Sequence, residues 1–349
     1  MKTKTGSEPI EAKTLTVIGA GSWGSALAHH LGEKGAPVRL WVYEPEVYQD
    51  LSETRINRAF LPGFKLSSHI SFHREFPEAL QEAHVVVMAV PSHVFREILA
   101  RLAPAFPEGA ILLSAAKGVE IDSRLTMEGV AREVLGPRVA YAALSGPSFA
   151  REVMQRQPTA VTIASRRLEV ARYLQRLFSS PHFRVYTNYD VIGVELCGAL
   201  KNIFAIGTGI LEGMGLGDNS RAALITRGLA EMTRLGARLG ANPLTMTGLA
   251  GLGDLVLTCT GRQSRNFQVG LKLGQGENLE HILAGMQMVA EGLKTARAVH
   301  FLAAQLEVEM PIVEAVYRIL YEGLTPREAI KKLMTRELKD ELEAMTETW

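Results

Sequence analysis

The glycines at positions 19, 21 and 24 constrain this 349-residue chain more than any other feature, because they close a short apolar run from Leu15 to Ile18. The order is strand, then G-x-G-x-x-G, then an amphipathic stretch from Ser22 to Glu33 carrying Ala26, Leu27, Ala28 and Leu31. Gly19 allows a tight turn, Gly21 lets backbone approach a pyrophosphate, and Gly24 lets the following helix pack closely on the strand. The unsatisfied N–H groups and the positive dipole end at the start of that helix then face the phosphates. The spacing alone also fits an ordinary turn between strand and helix. The context favours a ligand: a second strand, Pro37 to Tyr43, follows at crossover distance, and acidic Glu44 lies 20 residues past Gly24, where a ribose partner is expected. We read the segment as a dinucleotide grip.

The length fits about two domains, and 47% hydrophobic residues can build sizeable cores. Lys plus Arg number 38 and Asp plus Glu 37, so a net charge of +1 gives no global footprint for nucleic acid or an anionic membrane. Any anion site must be local. Cys197 and Cys259 both sit among apolar residues and read as buried thiols rather than a metal or redox pair, which fits a reducing cytoplasm. The polar N-terminal segment 1–13 lacks an apolar signal core and reads as a loose tail.

Strand-like runs recur at 15–19, 38–43, 84–90, 110–114, 139–144, 159–164 and 183–186, with amphipathic stretches between several of them. That alternation predicts a Rossmann-type α/β domain, an open and mainly parallel sheet covered on both faces, over residues 14–189. From about Asp190 the pattern turns helical, so residues 190–349 are expected to form an all-α domain. Asn219 and Ser220 are expected to cap a long helix that Gly240 ends. Further helices are expected over 292–304, 311–322 and 325–334, the last with Thr325 as N-cap and Pro326 at its first position.

The segment Val191 to Leu211 is almost wholly apolar apart from Glu195, Lys201, Asn202 and Thr208. Its length invites a membrane span, but two charges and four glycines favour a buried bundle helix. An ammonium on such a helix is costly unless paired or functional, and burial pulls its pKa down, which suits a general acid. Snorkelling to the surface or a structural ion pair explains Lys201 equally well from helix geometry alone.

Lys117 follows a strand in Ser114-Ala115-Ala116-Lys117-Gly118, at the carboxyl edge where open α/β sheets line their ligand crevice. Pro91-Ser92-His93 and Ser145-Gly146-Pro147-Ser148-Phe149-Ala150 follow other strands in the same way, although plain turn chemistry satisfies their composition. Asp254 stands in an uncharged run and is followed by Ser264-Arg265-Asn266. A carboxylate beside a catalytic lysine tunes its protonation, while an arginine fork with neutral donors suits phosphate. Taken singly, Asp254 also reads as a helix cap and Arg265 as solvated surface.

The motifs GAGSWG (19–24), VPSH (90–93), AAKG (115–118), SGPSFA (145–150), GALKN (198–202), AGLGDL (250–255), SRN (264–266) and EG (291–292) occur in order across the chain. On these motifs it resembles the bacterial NAD(P)-dependent sn-glycerol-3-phosphate dehydrogenases. The resemblance implies an oxidoreductase that interconverts dihydroxyacetone phosphate and sn-glycerol 3-phosphate, supplying the latter for phospholipid synthesis. It implies Lys201 as proton donor and acceptor, with Lys117 and Asp254 beside it in the catalytic and substrate-binding group. Gly146, Ser148, Ser264, Arg265 and Asn266 match substrate-contacting positions. Gly19, Gly21, Ser22, Trp23, Gly24, Tyr43, Lys117, Ala150, Arg265, Val289 and Glu291 match the cofactor side, although helix-dipole stabilisation alone accounts for an acid at Glu291. Where the family often carries Arg or His after the second strand, this chain has Tyr43 before Glu44, so the choice between NADH and NADPH stays open. The reaction requires no metal. The expected partner is a small-molecule substrate, with no nucleic acid and no integral membrane segment, and the resemblance adds a homodimer. Two other readings compete: a related dehydrogenase of another hydroxy acid or phosphorylated polyol, and a non-catalytic nucleotide sensor.

Overall fold

The computed structural model describes residues 14–286 and 290–341. The N-terminal segment read as a tail, and Val289, lie outside the described residues. The strands are β1 (Leu15–Ile18), β2 (Val38–Trp41), β3 (Ile70–His73), β4 (Val85–Met88), β5 (Ile111–Ser114), β6 (Ala140–Ser145), β7 (Thr159–Ala164) and β8 (Phe183–Asn188). Between them run α1 (Ser22–Glu33), α2 (Pro45–Thr54), α3 (Phe76–Leu80), α4 (Phe95–Leu102), α5 (Met127–Leu135), α6 (Ala150–Met154) and α7 (Leu168–Phe178). After β8 the described chain is helical: α8 (Val191–Gly213), α9 (Asp218–Arg238), α10 (Pro243–Met246), α11 (Asp254–Thr260), α12 (Arg265–Gly274), α13 (Leu279–Ala284), α14 (Glu291–Gln305), α15 (Pro311–Tyr321) and α16 (Pro326–Met334).

The eight strands form one sheet in the order β3-β2-β1-β4-β5-β6-β7-β8. β1 to β6 are parallel, β7 runs antiparallel to β6, and β8 is parallel to β7. Central β1 and β4 are buried along their whole length, which explains their mainly apolar sequences; the lone polar side chain, Thr16, donates to the Ala79 carbonyl. The chain leaves β1 first toward β2 and later returns to β4 on the opposite side. That reversal sets the crevice at the carboxyl ends of β1 and β4. The fold is thus the expected Rossmann-type sheet followed by helices; sequence reading missed only β3, a four-residue edge strand.

α8 starts where the Asp190 carboxylate accepts the Gly193 N–H at 2.9 Å, and most of its residues are buried. It is long and apolar enough to cross a membrane, yet 94% of its apolar window is buried inside the protein. Its glycines serve close packing against α12. A Cβ on Gly209 would stand 2.1 Å from the Phe267 carbonyl oxygen, and one on Gly270 2.0 Å from that of Ile206. The two backbones are therefore in direct contact.

One helix start differs from expectation. Gly217, not Asn219 or Ser220, is the N-cap of α9. Gly215, at φ +73, follows the end of α8, and α9 begins three residues later at Asp218, placing Asn219 and Ser220 inside the first turn. Gly240, at φ +82, follows the end of α9 as expected, and Thr325 forms a capping box with Glu328 at α16.

Candidate active site

The first wall of the site is the β1–α1 turn. Gly19 adopts φ +108, and a Cβ on Gly24 would lie 1.9 Å from the Gly19 oxygen, so both glycines are required by this turn. Nothing lies within 4 Å of the position a Gly21 Cβ would take, which lets a pyrophosphate reach the backbone there. Ser22 donates to the Phe60 carbonyl at 2.5 Å. Asn57, which sequence reasoning missed, braces the turn by donating to the Ala20 carbonyl at 2.6 Å and to Ser25 Oγ at 3.0 Å. The Trp23 indole N–H is buried with no hydrogen-bond partner among the described residues. Tyr43 is exposed beyond the end of β2, and Glu44 is the half-buried N-cap residue of α2. These features fit a dinucleotide.

The second wall joins residues far apart in sequence. Asp254, fully buried, presents Oδ1 to Lys201 Nζ at 2.5 Å and Oδ2 to Lys117 Nζ at 2.7 Å. Lys201 comes from the middle of α8, and Lys117 from the loop after β5, where its ammonium also donates to the Gly146 carbonyl at 3.3 Å. Asp254 opens α11 directly after a wide helical turn, Leu249–Gly253, in which the Gly253 N–H reaches back to the Gly248 carbonyl at 3.1 Å. Such π turns often mark functional sites. The side chain of Asp254 thus pairs with the lysines, while Gly253 is the N-cap residue. Thr258, one turn on and also missed from sequence, puts its hydroxyl 2.6 Å from the Asp254 carbonyl and 3.3 Å from Oδ1.

Electrostatics follow from this geometry. Burial pulls Lys201 down to about 8; Asp254 opposes that shift and Lys117 adds to it. Burial pushes Asp254 up, but the two lysines outweigh it and hold the carboxyl below its ordinary value. Two ammoniums against one carboxylate leave a local positive charge suited to an anion or to a developing alkoxide.

The third wall comes from α12 and α14. Ser264 accepts the Phe267 N–H as N-cap of α12, and Arg265 follows at the exposed first helical position. Asn266 is buried and already engaged: its Nδ2 donates to Asn202 Oδ1 at 2.9 Å, and its Oδ1 accepts the Gly292 N–H at 2.9 Å. Glu291 begins α14 and accepts the Ser92 N–H at 3.0 Å, so it ties α14 to the loop after β4. Burial raises its pKa. Gly146 takes φ +140 after β6, where the Ser148 hydroxyl donates to its carbonyl at 2.9 Å, and Ala150 begins α6. Asn202 and Ser92 were visible in sequence only as polar residues within apolar or turn segments. Among the described residues no cluster of His, Cys, Asp or Glu could hold a metal ion.

Comparison with known proteins agrees with this arrangement. Residues 14–171 match the family described as NAD-dependent glycerol-3-phosphate dehydrogenase N-terminus, and residues 190–331 match its C-terminus counterpart. A glycerol-3-phosphate dehydrogenase [NAD(P)+] of Geobacter metallireducens is 55% identical over 329 residues, covering 94% of this chain and 98% of that protein. A counterpart in Syntrophobacter fumaroxidans is 52% identical, covering 94% and 97%. The crystal structure of glycerol-3-phosphate dehydrogenase from Coxiella burnetii superposes with a TM-score of 0.90 at 41% identity, covering 93% of this chain and 99% of that one. The chain belongs to the NAD-dependent glycerol-3-phosphate dehydrogenase family.

Proposed function

We propose that this protein interconverts dihydroxyacetone phosphate and sn-glycerol 3-phosphate at the crevice between the β1–α1 turn and the Lys117–Asp254–Lys201 group. A bound nicotinamide dinucleotide supplies or accepts the hydride at substrate C2. Lys201 gives a proton to the carbonyl oxygen during reduction and takes it back during oxidation. Lys117 offsets the negative charge that develops on that oxygen, and Asp254 orients both ammoniums. Arg265 supplies a fork for the substrate phosphate at the start of α12, with Ser264, Asn266, Gly146 and Ser148 around it. Trp23, Ser22, Ala150 and Glu291 face the cofactor in this reading. The observation that carries it is one fully buried carboxylate shared by two lysines beside a dinucleotide turn. Relatives are named for NAD(P)+, and exposed Tyr43 neither repels nor neutralises a 2′-phosphate, which supports use of both dinucleotides.

Within this proposal residues 14–189 form the dinucleotide-binding unit and 190–349 the substrate-binding unit. The end of β8 at Asn188 and the start of α8 at Val191 support that division. The product feeds phospholipid synthesis, two copies of the chain pair as a homodimer, and the cytoplasm is the compartment. The buried, unpaired Cys197 and Cys259 support a reducing environment. The test is oxidation of NADH and NADPH followed by nicotinamide absorbance, with dihydroxyacetone phosphate and a panel of 2-keto acids as acceptors. Turnover confined to dihydroxyacetone phosphate is expected; turnover with a keto acid and none with dihydroxyacetone phosphate would overturn the reading.

A further inference from the structure

We infer that Glu195 is a positioning residue that ties the loop carrying Lys117 to the helix carrying Lys201. The inference rests on those two lysines acting together in the reaction proposed above. The loop in question, residues 115–126, leaves β5 and ends at the first turn of α5. Lys117 lies two residues before Val119, which pairs through an isolated antiparallel bridge with Thr126 at the loop's far end. Thr126 is the N-cap residue of α5, yet its side chain makes no capping bond. The cap comes instead from α8. The buried Glu195 carboxylate accepts the Glu128 N–H at 3.1 and 3.2 Å and also accepts from the Tyr141 hydroxyl.

Three residues further along α8, Gly198 lies against the stem of Lys117. A Cβ there would stand 3.4 Å from Lys117 Cγ and 2.9 Å from Ser145 Oγ. Lys201 follows after the same spacing. Glu195, Gly198 and Lys201 follow one i, i+3, i+6 row along α8: the first fixes the start of α5 where the Lys117 loop ends, the second packs on the Lys117 stem, and the third meets Asp254. A carboxylate so removed from water is costly, and burial pushes it up to about 7. Among the described residues Glu195 makes no hydrogen bond or ion pair with either lysine, so its effect on them runs through the loop.

Glu231 supplies an internal control. Also buried, it caps α15 by accepting the Ile312 N–H at 2.7 Å and the Val313 N–H at 3.2 Å, and α15 bears no residue of the site. The experiment compares Glu195→Ala, Glu195→Asp, Glu195→Gln and Glu231→Gln, with kcat counted per NADH-binding site. Asp keeps the charge but shortens the reach; Gln keeps the reach, its oxygen accepting from the Glu128 N–H and the Tyr141 hydroxyl. Expected are a kcat about 10- to 100-fold lower in the Ala and Asp variants with NADH affinity within about twofold, and a shifted pH midpoint for reduction. The Gln variant should restore both, and Glu231→Gln should leave both unchanged. If Ala fails to fold, the contrast between Asp and Gln decides. Parent-like kcat and pH midpoint in the Asp variant, or a Gln variant as impaired as Asp, would overturn the positioning role. Lys201→Ala is assayed alongside: turnover retained there would overturn the reaction reading and this inference together, whereas its loss with an active Asp variant overturns the positioning role alone.

Discussion

Lys201 Nζ and Asp254 Oδ1 stand 2.5 Å apart in a core where the two side chains are only 9% and 1% exposed. Two charges taken this far from water are costly unless their geometry compensates, and Asp254 is shared with Lys117, so it cannot fully neutralise either. A purely structural pair would be better served by one lysine. In the proposed reaction the surplus positive charge would serve a phosphorylated substrate and the oxyanion formed on hydride transfer.

Replacing Lys201 by Ala should therefore remove the proposed proton donor while sparing the β1–α1 turn. The expected result is a kcat lower by about 10²- to 10⁴-fold with NADH affinity essentially unchanged, measured by steady-state kinetics and by titration of the bound dinucleotide. Near-normal turnover would remove Lys201 from the chemistry.

The pH dependence has a definite sign. In the proposed mechanism reduction needs Lys201 protonated, so its rate should fall as pH rises through about 8, while oxidation, which needs the neutral amine, should rise through the same range. Asp254 raises the Lys201 pKa and Lys117 lowers it. Residual reduction by Asp254→Asn should accordingly fall off at lower pH than the parent, and that of Lys117→Ala at higher pH. Shifts in the same direction would contradict the shared-carboxylate account.

What was legible in sequence was local. The β1–α1 turn could be read because strand, glycines and helix are contiguous, and each glycine's role follows from backbone sterics. β3 could not, because four residues at a sheet edge offer little periodicity. The start of α9 was misread because Asn219 and Ser220 are good caps by residue type, whereas the chain geometry after Gly215 fixes the cap at Gly217. Lys117, Lys201 and Asp254 were each recognisable as misplaced charges, but their pairing spans 137 and 53 residues and emerges only from tertiary structure. The engagement of Asn266 by Asn202 and Gly292 was hidden for the same reason.

Neighbouring Ser264 and Arg265 give two further tests. Arg265→Ala removes a charged fork from an exposed helix start, so the KM for dihydroxyacetone phosphate should rise about 10- to 100-fold. Ser264→Ala removes the N-cap of α12 and should cost about 1 kcal/mol of stability, read from urea unfolding. An unchanged KM in the arginine variant would remove it from phosphate binding.

Glu231 gives a stability prediction whose direction follows from burial. Its carboxyl is pushed from the ordinary 4.5 up to about 7, because desolvation outweighs the two N–H groups that favour the charge. Between those values the folded protein holds a proton that the unfolded chain has released, so this contribution is fully present below 4.5 and lost as pH rises through 7. Glu231→Gln cannot titrate and lacks that dependence. The stability of the parent relative to the variant, from urea unfolding at matched ionic strength, should therefore decline between pH 5 and 8 by at most roughly 3 kcal/mol. Because Glu195 and Glu291 titrate alike in both proteins, the difference isolates Glu231. A difference that stays flat, or grows with pH, would mean that the carboxylate is ionised throughout and that the α15 N–H groups outweigh its burial.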